Sequence, residues 1–424
     1  EGALHALGRH EEDAHSVLCQ QRDAGDRQIF FLANSDNKRE VRTEVRLRGR
    51  GLLEHWDLQT GRVTGMLSDY AAGYTTARIT LAPAGSRLIA LNRSQAPVEG
   101  RAHEWRQVRR IAFEDRWQVQ AHDYNALTLD YCGFRMGDGE WRDEVPTIWL
   151  YQALNGLQEP TPLALRFTFP VETDPANLGS CFLLVEQPEL WDITLNGRPV
   201  PAAHGWWTDI AFRKVHICDL MRDGMNVVEM RTTAKPGLEV ESIYVIGEFG
   251  VTRRGSRWDG GPPMFAVTAP VTEVRTGDLG PQGYRFFRGS IAYRQELRVP
   301  LEEGQRGVLR LEGMEAVLAH VTVNGREAGF IPWRPHELEV TEFLNKRRVN
   351  AFEIELFGSC RNLLGPHHNV NANAIGVGPR SFYGSDEWRE DPRSADDIWR
   401  DRYSFVPFGI TKGAHVAVME AAAE

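Results

Sequence analysis

The sequence predicts an all-β chain, in which one small antiparallel β-sandwich is followed by two tandem copies of a second β-sandwich. Three observations carry this. Apolar and polar residues alternate at period two in several short segments, the pattern of half-buried strands. Asn-Gly turn pairs recur together with the strands downstream of them, as a tandem repeat would. No long helical periodicity and no regular strand–helix alternation is present. The chain has 424 residues, room for about three domains.

The first unit is expected over 1–95. Ile29-Phe30-Phe31-Leu32-Ala33-Asn34 is a short apolar run suited to a central strand. Val41, Thr43, Val45 and Leu47 then face one way, with Arg42, Glu44 and Arg46 facing the other. Leu53 to Trp56 leads into Asp57 and a Gly61 turn, and strands over 75–81 and 87–91 are divided by the breakers Pro83 and Gly85. Residues 92–100 read as a linker.

A second unit is expected over 104–250. Leu163, Leu165, Phe167 and Phe169 alternate with Ala164, Arg166 and Thr168, and Ile193-Thr194-Leu195 runs into Asn196-Gly197, a strong hairpin signal. The Gly- and Pro-rich stretch 251–263 reads as the next boundary. The third unit, 264–424, repeats the second. Val321-Thr322-Val323-Asn324-Gly325-Arg326 matches Ile193 to Arg198; Val340-Thr341-Glu342-Phe343 matches Ile217-Cys218-Asp219-Leu220; Asn350 to Ile354 matches Asn226 to Met230. Three matches in the same order outweigh chance. The polar stretch 365–403, with a short helix expected over 394–400, reads as a loop wrapping the third unit before a last strand near 404–418.

Composition excludes several functions. The formal net charge is −9 and the arginines are interleaved with acids, so no phosphate-tracking surface and no nucleic-acid partner is expected. No apolar run reaches the ~18 residues of a membrane helix, and no membrane partner is expected. Five cysteines, Cys19, Cys132, Cys181, Cys218 and Cys360, form no CxxC pair; they read as unreactive free thiols and lean toward a reducing, cytoplasmic setting. The start at Glu1-Gly2, without Met or signal sequence, reads as the interior of a longer polypeptide.

Motifs for nucleotide, zinc-protease and nucleophile-elbow chemistry are absent, and Gly376-Val377-Gly378 has no helix after it. Acids such as Asp386, Glu387, Asp396 and Asp397 are available, but 58 acidic residues guarantee neighbours, and no repeated strand–helix pattern supplies the barrel whose strand ends carry such pairs. No catalytic residue and no cofactor is therefore assigned; a structural Ca²⁺ is not indicated. The densest polar motif is Arg361-Asn362 through His367-His368. Adjacent histidines on extended chain point to opposite faces, so a shared metal site is awkward and the alternatives are a domain-interface role or ligand contact. Trp206, Trp207 and Trp333 follow the two Asn-Gly turns at similar distances, suiting either packing or a sugar-stacking platform.

The first unit resembles the β domain that closes the catalytic region in large bacterial glycoside hydrolases of the α-L-rhamnosidase type, family 106-like. The likeness rests on Phe31-Leu32-Ala33-Asn34 and on Trp56-Asp57 followed by Thr60-Gly61. The second and third units resemble galactose-binding-like jelly rolls, also described as family 2 sugar-binding domains, through Asn324-Gly325, Val340-Thr341 with Leu344, and Asn350 to Ile354. The run Gln282 to Arg294 is similar to the first strand of such modules. The resemblance implies a non-catalytic accessory, carbohydrate-binding region of a glycoside hydrolase acting on plant or microbial polysaccharide, rhamnose-containing polymers included. Its partners would be carbohydrate and an upstream catalytic barrel of the same polypeptide, where that family's catalytic acids lie. The candidates for carbohydrate contact or for the mouth of the active site are Trp333, Trp206, Trp207, Arg361, Asn362, His367 and His368. Alternatives are a stand-alone carbohydrate-binding or cell-surface interaction protein, and a complete enzyme with a site on a sandwich face.

Overall fold

The computed structural model describes residues 4–8, 16–97, 105–369 and 399–421. Among the described residues six sheets, almost wholly antiparallel, pack in pairs around three main apolar cores. The chain is all-β, in three sandwiches.

In the first sandwich Arg27–Asn34 is a central strand between Val17–Ala24 and Ser86–Asn92. Val41–Arg48 lies in the opposing sheet, with Val41, Thr43, Val45 and Leu47 buried and Arg42 and Arg46 exposed, as the alternation requires. The breakers at 82–85 carry the chain from one sheet to the other, since Tyr74–Leu81 pairs with Val41–Arg48 while Ser86–Asn92 pairs elsewhere.

The second sandwich sets Asn125–Leu129, Ile243–Gly247, Cys181–Glu186, Asp209–His216 and Trp206–Trp207 against a larger sheet centred on Thr161–Val171 and Gly224–Ala234. The third sets Trp105–Ala112, Gly409–Ala421, Arg306–Glu315 and Glu337–Glu339 against a six-stranded sheet centred on Ser290–Arg298 and Val349–Phe357. The two follow the same strand order. Their asparagine turns match atom by atom. Asn196 Nδ2 donates to Leu220 O and Asn226 Oδ1, both at 2.9 Å, while Asn196 Oδ1 accepts from Val227 N at 3.0 Å. Asn324 Nδ2 donates to Phe343 O at 2.9 Å and Asn350 Oδ1 at 2.8 Å, while its Oδ1 accepts from Ala351 N at 3.0 Å. Asn196, Gly197, Asn324 and Gly325 all have positive φ, which is why this residue pair marks both turns.

The unit limits differ from those expected. Trp105–Ala112 pairs with Gly409–Ala421, and Arg116–Ala121 pairs with Glu273–Arg275 and Ser290–Arg298. Residues 105–121 thus supply two strands of the third sandwich, and the second sandwich is inserted between them and 273. Contiguity in sequence hides this, because sheet partners need not be neighbours along the chain. The stretch 251–263 is not a boundary between units but most of a hairpin, Gly250–Ser256 with Pro263–Thr268, whose Val251, Phe265 and Val267 enter the second core. Its glycines serve the turn: Gly255 and Gly260 take positive φ. The first strand of the third module expected over 282–294 begins at Ser290, after a short 3₁₀ turn Gly280–Gln282. Gly376 to Gly378, the four acids at 386–397, and all but the last two residues of the helix expected over 394–400 lie outside the described residues; Trp399 forms an extended bridge with Asn369.

Candidate functional site

The histidine motif sits where the third sandwich is laid against the second. Arg361–Leu364 is one short helical turn, and the chain beyond it packs with Phe286, Leu363 and Tyr403 into the second core. Asn362 clamps the neighbouring segment: its Nδ2 donates to Val406 O and its Oδ1 accepts from Val406 N, both at 2.9 Å. Burial holds the Arg361 guanidinium below its ordinary pKa.

His368 is 4% exposed and bridges three segments. Its Nε2 lies 3.1 Å from Asp130 Oδ2 and its Nδ1 2.8 Å from Arg400 O. The Arg400 carbonyl can only accept, so Nδ1 carries a proton and donates to it, and Nε2 faces the Asp130 carboxyl. The ring stacks on Trp399 at 4.6 Å and meets Tyr403 edge-on at 4.3 Å. Tyr403 donates its hydroxyl to Asp130 Oδ1 at 2.5 Å, and Tyr131 and Trp399 both donate to Asp401 Oδ1 at 3.0 Å. Burial pushes the Asp130 carboxyl up, but the His368 bond and charge outweigh it and hold the acid below its usual value. Burial, then the Asp130 charge, drives the Tyr131 and Tyr403 hydroxyls well above theirs.

His367 faces the other way. Its Nε2 is 3.2 Å from Leu363 O, its Nδ1 has no hydrogen-bond partner, and Phe286, Tyr403 and Phe405 surround the ring. Burial lowers its pKa to about 4, so the ring is neutral with the proton on Nε2. The two histidines are thus parts of one packed junction, sharing the Tyr403 ring but with separate hydrogen-bond partners.

The tryptophans are dispersed. Trp207 is buried and donates Nε1 to Asp123 Oδ1 at 2.7 Å, while Arg288, bonded to the same carboxylate, lies 4.9 Å over its ring. This is a second tie between the sandwiches, at the crossing 122–124. Trp206 beside it is 54% exposed. Trp333 is 47% exposed and precedes Arg334, which donates to Asn37 O of the first sandwich at 3.2 Å.

A cleft of about 390 Å³ opens at one end of the second sandwich, between the loops that follow Cys181–Glu186 and Gly224–Ala234. Leu165, Phe167 and Met230 line its apolar part; Trp191, Glu186, Glu241, Thr232 and Lys235 bring an indole and polar groups. Trp191 also lines a neighbouring groove of about 820 Å³ that runs past Asp192, Thr194 and Arg213. Burial, followed by repulsion from Glu239 and other acids, raises the pKa of Glu186 and Glu241. An aromatic face beside hydroxyls, carboxylates and an ammonium can stack a pyranose ring and bond its hydroxyls. The sequence reading did not single out Trp191; the signal available was the turn clusters Gln187-Pro188 and Lys235-Pro236-Gly237 flanking it. Among the described residues, no group of three or more His, Cys, Asp or Glu side chains is arranged to hold a metal.

No protein-family model matches the chain, and no curated protein matches it. Among solved structures, the chain is similar to a rhamnosidase from Novosphingobium sp. PP1Y, at 14% identity and TM-score 0.48, over 99% of this chain and 25% of that one. It is also similar to the Streptomyces avermitilis α-L-rhamnosidase complexed with L-rhamnose, at 11% identity and TM-score 0.25, over 99% of this chain and 40% of that one. A β-D-mannosidase from Dictyoglomus thermophilum matches 55% of this chain and 31% of its own, at 12% identity and TM-score 0.24. The chain therefore spans a quarter of the length of the Novosphingobium rhamnosidase.

Proposed function

We propose that this chain is a non-catalytic accessory region of a glycoside hydrolase, that it binds carbohydrate, and that it works beside a catalytic barrel of the same polypeptide. The substrate class is plant or microbial polysaccharide, rhamnose-containing polymers included. The single observation that carries the reading is Trp191: one indole forms a wall of two adjoining polar grooves at the end of a jelly roll. Stacking on it, with sugar hydroxyls donating to Glu186 and accepting from Lys235 and Thr232, suits a short stretch of glycan. The sequence resemblance supports the attachment to a hydrolase. His368 and Asp130, which in another setting would suggest acid–base work, are committed to the junction by their bonds to Arg400 and Tyr403. Affinity electrophoresis in gels holding a rhamnose-bearing pectic polymer tests the reading. Retardation of the chain that Trp191→Ala abolishes is the expected result; equal mobility with and without polymer would refute it.

A further inference from the structure

We propose that Cys181 and Cys218 are a redox pair that closes to a disulfide at the foot of the second sandwich. The sister sandwich provides the geometry. There, Val340 N donates to Gly307 O at 2.9 Å, and the next residue, Thr341, turns its hydroxyl back onto the same glycine, accepting from Gly307 N at 3.1 Å. In the second sandwich Ile217 N donates to Cys181 O at 3.1 Å, and Cys218 is the next residue. Cys218 opens the 3₁₀ turn Cys218–Leu220 just as Thr341 opens Thr341–Phe343. Position 218 therefore takes the place that faces residue 181 in the sister's pattern, and where the sister has a glycine this residue carries a second thiol.

The local contacts agree. Cys218 Sγ reaches Gly179 O at 3.3 Å, and lies 3.9 Å from Pro175 O and 4.0 Å from Leu178 O, over the segment that leads into Cys181. Cys181 is fully buried and Cys218 partly exposed, so an oxidant meets Cys218 first. With a disulfide such as oxidised glutathione, the Cys218 thiolate attacks one sulfur and releases one glutathione thiol. Cys181 then gives up its proton, attacks the Cys218 sulfur of the mixed disulfide and releases the second. Two protein thiols lose two electrons and two protons, and the oxidant becomes two thiols. Burial, with a further push from Cys218, raises the Cys181 thiol to about 12. That slows the second step, and because it also makes Cys181 a poor leaving group it slows reductive opening by attack at Cys218 without preventing it. It would tie the turn that receives the Asn196 bond to the strand Cys181–Glu186, replacing the sister's hydroxyl contact with a covalent one.

The test treats the whole native chain with oxidised glutathione, blocks remaining thiols, and maps the peptides without reduction. The expected result is joint loss of the Cys181 and Cys218 thiols, a cross-linked peptide joining them, and a melting temperature raised by roughly 5 °C that reductant reverses. Cys218→Thr, the residue the sister sandwich uses at this place, should fold, form no cross-link and show no oxidant-dependent shift. A glutathione adduct that stays on Cys218 while Cys181 remains a thiol, or a cross-link that forms only after denaturation, would overturn the proposal.

Discussion

His367 is expected to set much of the acid sensitivity of the second and third sandwiches, and His367→Gln should remove it. The ring is neutral in the folded chain because protonating Nδ1 would place an unpartnered N–H⁺ among Phe286, Tyr403 and Phe405. Its pKa is about 4 when folded, against 6.5 for the free side chain. The sign follows from proton counting: between these values the unfolded chain binds a proton that the folded chain does not, so stability is full above about pH 6.5 and falls as pH drops toward 4. The difference amounts to about 3 kcal/mol, at roughly 1.4 kcal/mol for each tenfold change in proton affinity. Glutamine retains a donor for Leu363 O but does not titrate. The assay is urea unfolding at about pH 7 and about pH 4.5, followed by tryptophan fluorescence, since Trp149 and Trp399 lie in the same junction. Wild type should lose stability between the two conditions, and the variant should lose about 2–3 kcal/mol less. Parallel losses in the two proteins would refute the reasoning. Asp130 acts in a lower window: its depressed pKa contributes stability that is present above the ordinary carboxylate value and lost as pH falls further.

Asn350→Ala should destabilise the third sandwich by about 2–4 kcal/mol, because the buried amide accepts from Asn324 and Asn345 and donates to three backbone carbonyls. Thermal unfolding measures this, and a loss below about 1 kcal/mol would contradict the clamp. Asp123→Ala leaves both Trp207 Nε1 and Arg288 without their shared carboxylate, and should speed amide hydrogen exchange at 204–208 and 283–289. Unchanged protection there would mean the crossing is held by its apolar contacts alone.

Much of the fold was legible because its signals are local. Alternation at 41–47 and 163–169 marks strands whose inward residues are buried, and the Asn-Gly turns mark hairpins because few residues other than Gly and Asn tolerate positive φ. The repeat was legible because each Asn must reach a second Asn a loop away, so both copies keep the same residues. What escaped were the non-local facts. That 105–121 serve the third sandwich depends on pairing with strands about 150 or 300 positions downstream, which no local pattern encodes. The hairpin over 250–268 reads in sequence as a unit boundary because a glycine-rich turn and a boundary segment share composition. At the site, the histidine motif was visible by its density, but its partners Asp130 and Tyr403 lie far from it in sequence. Trp191 became notable only when two loops were seen to close around it.

The central claim, carbohydrate binding at the end of the second sandwich, is tested most directly by isothermal titration calorimetry of the whole chain with a rhamnose-bearing pectic oligosaccharide. The account predicts a dissociation constant of roughly 10 μM to 1 mM and at least a tenfold loss in a folded Trp191→Ala variant. Binding that the variant retains unchanged would place the site elsewhere, and no heat from this or neutral galactan and glucan oligosaccharides would contradict carbohydrate binding by this chain.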